Sequence, residues 1–106
     1  MKYKISGYKK KYADAFYLLN KEWISESWDL EDADVHDLLS PEKAIIEIGG
    51  EIFFILINNS VAGTVAMIPH KNNKFELAKM TIKKKYRGNG LSKLLLNQCI
   101  EFAKFK

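Results

Sequence analysis

The middle of the chain holds three β-rich runs separated by two asparagine-rich turns, and this pattern constrains the fold more than any other feature. Residues 51–57 are rich in Ile and Phe, which favours a strand buried on both faces. Residues 61–68 and 75–82 form the second and third runs. The segments between them, 58–60 and 70–73, contain asparagines, which tolerate the positive φ of tight turns. The pattern therefore predicts an antiparallel three-stranded meander.

Helical patterns lie on both sides of the meander. A helix is predicted over residues 10–25, where apolar residues recur at spacings of four, three and four on one face. These residues are Tyr12, Phe16, Leu19 and Trp23. A first strand is predicted over residues 3–8, and a final helix over residues 91–104. Between them, Ser40-Pro41-Glu42 has the chemistry of a helix start. The expected fold class is α+β, with a mainly antiparallel sheet flanked by helices.

The composition is that of an ordinary globular domain. A length of 106 residues predicts one domain, and 47% hydrophobic residues exclude the disordered and fibrous classes. A single cysteine, Cys99, excludes a disulfide framework and a cysteine-built zinc site, and no metal is expected. The apolar run at 52–57 is far shorter than the roughly 20 residues that span a membrane. The start of the chain has no apolar signal core, so we expect a cytoplasmic protein with no membrane partner.

The charges of the chain are divided unevenly. Residues 1–70 hold 7 Lys/Arg and 11 Asp/Glu, a net charge of −4, whereas residues 71–106 hold 10 and 2, a net charge of +8. Such asymmetry suggests that the later part binds an anionic ligand, although a solvated lysine-rich surface explains it as well. Aromatic residues are not interleaved with the lysines as stacking platforms, so no nucleic-acid partner is expected.

The segment between the third predicted strand and the last helix has the chemistry of a phosphate site. Residues 83–92 read Lys-Lys-Lys-Tyr-Arg-Gly-Asn-Gly-Leu-Ser. Glycines let the backbone turn sharply, and the start of a helix offers unpaired N–H donors with a partial positive charge. Together they suit a phosphate group, though a strand-to-helix turn without a ligand also fits. The segment matches neither the Walker pattern nor the dinucleotide pattern, which needs a third glycine.

This segment resembles the acyl-CoA pyrophosphate loop of the GNAT superfamily of N-acetyltransferases. The family motif is [QR]-x-x-G-x-[GA]; residues 87–91 fit its first five positions, and Ser92 replaces the usual last residue. Residues 76–82 resemble the central strand of that family, and residues 61–65 resemble the strand before it. The resemblance covers nearly the whole chain and implies the fold of the N-terminal portion of a GNAT domain.

The resemblance implies an enzyme that transfers an acetyl group from acetyl-CoA to a primary amine by direct attack. In that family, backbone groups of the central strand bind the pantetheine arm, and here those positions are Met80, Thr81 and Ile82. A backbone N–H near Met80 would polarise the thioester carbonyl. The pyrophosphate would be held by N–H groups of five residues of the loop. These are Arg87, Gly88, Asn89, Gly90 and Ser92.

The resemblance also suggests a general base and a class of acceptor. Glu76, at the start of the central strand, lies where many family members place the base, although a polar residue on a half-exposed strand is an equal alternative. An acidic stretch falls where the first two helices of the family rim the acceptor pocket. It contains Asp29, Glu31, Asp32, Asp34 and Asp37. This stretch favours a cationic amine acceptor, or else it is only a solvated acidic face.

The sequence departs from the family at its C-terminal end. Family members continue with further strands and a helix, which often carry the tyrosine that protonates the leaving thiolate. We therefore expect residues 1–106 to be a single, C-terminally truncated domain that forms a homo-oligomer or pairs with a complementing chain. A truncated gene that retains little catalysis is the simpler alternative. The alternative function is a catalytically impaired acyl-CoA-binding or interaction module.

Overall fold

The computed structural model describes residues 2–27 and 38–105. Within these residues, four strands form one antiparallel sheet in the order β1-β2-β3-β4. The strands are β1 (Tyr3–Ser6), β2 (Glu51–Ile57), β3 (Ser60–His70) and β4 (Lys74–Ile82). The predicted meander and the α+β fold class are therefore confirmed.

Two asparagine pairs set the tight turns of the meander. Asn58 and Asn59 have φ of 51° and 65°, and Asn72 and Asn73 have φ of 65° and 57°. Paired positive φ values match the twist of the flanking strands, so hydrogen bonding continues to the turn itself. For this reason β3 and β4 are longer than predicted.

The first strand is shorter than predicted because its continuation bonds to a side chain. The N–H of Tyr8 donates to Oε1 of Glu51 across 3.1 Å, which replaces a ladder bond to β2. The hydroxyl of Tyr8 donates to Glu42, and burial, followed by this carboxylate neighbour, raises the pKa of the phenol. The chain therefore leaves the sheet after Ser6.

Two helices pack on opposite faces of the sheet. Helix α1 (Ala13–Ser27) covers the face of Ile52 and Phe54, and its Phe16 meets Phe54 edge-on at 6.5 Å between ring centroids. Helix α2 (Leu91–Lys104) covers the opposite face, where its Phe102 meets Phe53 at 5.8 Å. Successive residues of β2 point into different layers, which explains why residues 52–57 of this strand are all apolar.

Three details of the helices differ from the prediction or fall outside the described part. The segment after Ser40-Pro41 forms only a single π-helical turn, Glu42–Ile46. The acidic stretch, Asp29 to Asp37, lies outside the described residues. The side chain of Trp23 does so as well.

Candidate functional site

Strand β4 lies at one edge of the sheet and contains a β-bulge. Its pairing with β3 passes from Thr64↔Thr81 to Ala66↔Ala78, so Lys79 and Met80 both lie opposite a single residue of β3. Lys79 has φ of 54°, a left-handed conformation that a residue with a Cβ rarely adopts. A bulge twists the strand and interrupts the regular hydrogen-bond ladder. The edge is therefore irregular at Met80, where the resemblance implies polarisation of the thioester carbonyl.

The side chains beside the bulge point into the protein. Thr81 and Ile82 are 4% and 9% exposed, and Met80 packs against the apolar layer beneath α2. Thr81 and Ile82 are therefore closed to a ligand and Met80 is only partly exposed, so contacts at this edge would come mainly from backbone groups. The end of the strand is fixed to β3 by a hydrogen bond from the Lys83 N–H to the Ala62 carbonyl, at 2.7 Å.

The loop that follows β4 keeps its surface open. Gly88 and Gly90 have φ of 85° and 77°, conformations that L side chains rarely adopt. A Cβ placed on either glycine would meet no atom within 4 Å. Gly90 is the residue before the first turn of α2, and no side chain caps that helix. The start of α2 therefore faces open space lined by main chain.

Several amides of the loop lack a hydrogen-bond acceptor among the residues that the structure describes. The N–H groups of Gly88, Asn89, Gly90 and Ser92 make no hydrogen bond to any described residue. Four such donors next to a helix start form the type of site that binds a phosphate group. The pyrophosphate-binding role that the resemblance implies for these four residues stays a prediction, and the open bend and the amides provide the geometry it requires.

Arg87 makes hydrogen bonds within the protein, and this role differs from the pyrophosphate binding that the resemblance implied. Its N–H donates to the Lys84 carbonyl across 3.3 Å, within a 3-10 turn at Lys84–Tyr86. Its Nε donates to the Ile82 carbonyl at 2.9 Å, which ties the loop back to the end of β4. Because the turn uses the Arg87 N–H, this group is left out of the candidate anion site.

The charges around the loop are of one sign. Lys83, Lys84, Lys85 and Arg87 are all exposed, and no acidic residue lies between Glu76 and Glu101 in the sequence. Each exposed cation contributes about 1 kcal/mol or less to binding an anion, and salt screens it. The segment nevertheless attracts a multiply charged ligand, because the contributions have the same sign.

Glu76 lies near the beginning of β4 and has a partner that sequence patterns did not reveal. Its Oε1 is 2.8 Å from Nε2 of His70, the last residue of β3. Both side chains are about half exposed, at 55% for Glu76 and 54% for His70. The sequence placed His70 in the predicted turn at 70–73, whereas the structure places it at the end of β3. The pairing depends on the register between β3 and β4, which the positions of the asparagine turns give only approximately.

A cavity of about 800 Å³ opens between α1 and the β2–β3 turn. Its walls include Tyr12, Leu18, Leu19 and Val61. Lys83 also lines the cavity, which therefore reaches the end of β4. The residues come from three separate parts of the chain, so no sequence motif marked them as a group. A volume of this size accommodates a small organic ligand.

The remaining candidates have no part in this site. Cys99 is 1% exposed in the core, and burial raises the pKa of its thiol to about 11. Among the described residues, no three His, Cys, Asp or Glu form a group suited to a metal ion. No helix in that part of the chain is long and apolar enough to cross a membrane.

The candidate groups lie in order along one edge of the molecule. Glu76 comes first, the bulge at Met80 follows, and the loop at 88–92 begins after the end of β4. From Glu76 to Ile82 the strand covers roughly 20 Å, at about 3.3 Å per residue. An extended ligand with an anionic group at one end matches this arrangement.

Comparisons with known proteins agree with the order of elements. The family model described as "Acetyltransferase (GNAT) family" matches residues 12–106. Among proteins with curated functions, none matches the sequence.

Solved structures share the fold. The chain is similar to a GNAT-family acetyltransferase from Staphylococcus aureus Mu50, with a TM-score of 0.87 at 24% identity over 97% of the chain. An acetyltransferase from Streptococcus agalactiae 2603 gives a TM-score of 0.78 at 26% identity over 96%. The chain covers 66% of the length of each of these two proteins. A predicted acetyltransferase with acetyl-CoA, from Clostridium acetobutylicum, gives 0.76 at 18% identity, covering 97% of this chain and 74% of that one.

Proposed function

Because this chain belongs to the acetyltransferase (GNAT) family, we propose that it transfers an acetyl group from acetyl-CoA to a primary amine. The observation that carries the proposal is the group of amides at Gly88, Asn89, Gly90 and Ser92. They face no acceptor in the described protein, and the bend between them is open. The similar structure from Clostridium acetobutylicum with acetyl-CoA supports the choice of ligand.

In the proposed complex, the four amides hold the pyrophosphate of acetyl-CoA. The partial positive charge at the start of α2 and the exposed lysines 83–85 attract its negative charges. Arg87 supports this site indirectly, since its Nε bond to the Ile82 carbonyl fixes the loop relative to β4. The pantetheine arm then lies along β4 and contacts backbone groups of Met80, Thr81 and Ile82.

The irregular edge of β4 supplies the electrostatic part of the reaction. The amine nitrogen attacks the thioester carbonyl carbon, and negative charge develops on the carbonyl oxygen. A backbone N–H at the bulge, near Met80, stabilises that charge because a fixed dipole needs no reorganisation during the reaction. The carbon–sulfur bond then breaks and CoA leaves as the thiolate, and the second proton lost by the amine nitrogen converts this thiolate to the thiol.

Glu76 is the proposed general base. Its carboxylate accepts a proton from the acceptor ammonium, directly or through a water molecule, and so yields the neutral amine that attacks. The side chain is half exposed, which leaves it accessible to an incoming amine. We further propose a cationic amine as acceptor, on the basis of the acidic stretch at 29–37 in the sequence.

Calorimetric titration with acetyl-CoA tests the site through Gly90→Asp. An aspartate there puts a side chain and a negative charge into the proposed pyrophosphate-binding site, so we expect the affinity for acetyl-CoA to fall roughly 100-fold. Gly49→Asp is the matched control, because Gly49 also has a positive φ, 100°, and open space where a Cβ would lie. This control introduces the same strain and charge far from the loop and should retain affinity. Equal affinities of the two variants would show that the assigned loop is wrong.

Release of free thiol in the presence of an amine panel then measures turnover separately from binding. We expect thiol release to be faster with polyamines and lysine-like amines than with neutral amines. Equal rates across the panel would contradict the proposed cationic acceptor. Binding of acetyl-CoA without any turnover would identify an acyl-CoA-binding module in place of an enzyme.

A further inference from the structure

His70 and Glu76 are diagonal neighbours on one face of the sheet. In the β3–β4 register, Ile68 lies opposite Glu76 and His70 lies opposite Lys74. Side chains two positions apart on a strand share a face, so His70 and Glu76 meet across the two strands. Ile68 packs with the apolar layer under α1, which places the pair on the α1 side of the sheet. Nε2 of His70 and Oε1 of Glu76 are 2.8 Å apart.

We propose that His70 is a positioning residue that fixes the Glu76 carboxylate for proton abstraction. The proposal rests on the proposed function, in which Glu76 is the general base. In the tautomer that carries its proton on Nε2, His70 donates to Oε1 of Glu76. The second oxygen, Oε2, keeps its lone pairs for the ammonium proton of the acceptor.

An exposed glutamate needs a hydrogen-bond partner to hold its carboxylate in one orientation. Its side chain has several rotatable bonds, and a half-exposed glutamate samples many rotamers in water. The imidazole is attached to the end of β3 and restricts the carboxylate to orientations within hydrogen-bond distance. Proton transfer requires contact between the carboxylate and the ammonium, so a larger fraction of correctly oriented carboxylates raises the rate.

Lys74 is a charged neighbour of this pair. It lies directly opposite His70 and is exposed. It forms no ion pair with Glu76 in the described structure. Lys74 therefore serves as a matched control, since it is close to the pair and takes no part in the proposed contact.

Steady-state kinetics of five variants of the full chain, four single and one double, test the proposal. We expect His70→Ala to lower kcat about fivefold, with an unchanged KM for acetyl-CoA, because the contact orients the base and does not bind the cofactor. His70→Gln should recover most of the rate, since its amide N–H can reach Oε1. Lys74→Ala should leave kcat unchanged. In a Glu76→Gln background, His70→Ala should cause no further loss.

The outcomes separate this inference from the proposed function. If Glu76→Gln lowers kcat and His70→Ala does not, the positioning role is wrong and the role of Glu76 stands. If Glu76→Gln retains full kcat, both roles are wrong, although the acetyl-CoA site at residues 88–92 is unaffected. A further loss on adding His70→Ala to Glu76→Gln would also overturn the inference.

Nitrogen-15 NMR of the His70 ring tests the contact without turnover. We expect the Nε2 resonance of the wild-type chain to report a hydrogen-bonded N–H, and to shift in Glu76→Ala, which has no side-chain acceptor. The same Nε2 resonance in both proteins would mean that the carboxylate does not hold the ring. Such a result would overturn the proposal whether or not the protein acetylates the amines tested.

Discussion

At the scale of single residues, burial decides the chemistry of Cys99. The side chain is 1% exposed in the layer between α2 and the sheet, beside residues such as Leu91 and Leu95. Burial disfavours the thiolate and raises the pKa of the thiol from 9.0 to about 11. Since the thiolate is the reactive form, Cys99 is a poor nucleophile and contributes to packing.

The raised pKa predicts a loss of stability in alkaline solution. Between pH 9 and pH 11 the thiol ionises in the unfolded chain but stays protonated in the folded one, so the free energy of unfolding falls as the pH rises. Cys99→Ala lacks this effect. Urea denaturation measures the free energy of unfolding of wild type and of Cys99→Ala at pH 8 and pH 10.5. The advantage of wild type over the variant in this free energy should be about 2 kcal/mol smaller at pH 10.5 than at pH 8. An advantage that is equal at both values would contradict the burial of the thiol.

At the scale of elements, the bulge in β4 depends on a strained residue. Lys79 keeps a φ of 54° where glycine would be unstrained. We expect Lys79→Val to lower the free energy of unfolding by about 1–2 kcal/mol, because a β-branched residue tolerates this conformation poorly. Lys79→Gly should be at least as stable as wild type, so its free energy of unfolding should exceed that of Lys79→Val by at least about 1–2 kcal/mol. Urea denaturation measures both, and equal stabilities would mean that the bulge is absent in solution.

Most elements could be predicted from turn and helix chemistry, whereas the details of strand pairing could not. The asparagine pairs and the Gly-Asn-Gly segment are local signals, so the meander and the start of α2 followed from short stretches of sequence. The bulge needs two residues of β4 to oppose one residue of β3, and nothing in the Lys79-Met80 sequence marks it. The His70–Glu76 contact depends on the same register and was missed for the same reason.

At the scale of the whole molecule, the outer edge of β4 is the feature that favours association. No described strand pairs with this side of β4. Leu77 on this strand and Leu96 and Ile100 on α2 are 40%, 41% and 46% exposed. An edge strand beside apolar surface is a template for pairing with another chain. We therefore propose that the protein forms a homo-oligomer or pairs with a complementing chain.

Sedimentation velocity of the purified chain tests self-association. We expect a dimer at micromolar concentration, and a shift to monomer in Leu77→Lys, because a charge on an edge strand opposes pairing. Leu39→Lys is the control, since Leu39 is 60% exposed and lies outside the sheet. A monomeric wild type would contradict self-association and leave only a different complementing chain. The same shift in both variants would mean that β4 is not the contact.

The position of β2 has a consequence for how the molecule holds together. This strand is hydrogen-bonded to β1 on one side and β3 on the other, and its side chains alternate between the layers under α1 and α2. Neither apolar layer can assemble without it, so the two layers share one set of native contacts. The described part of the chain should therefore unfold in a single all-or-none transition, with no state in which one helix remains docked after the other has left.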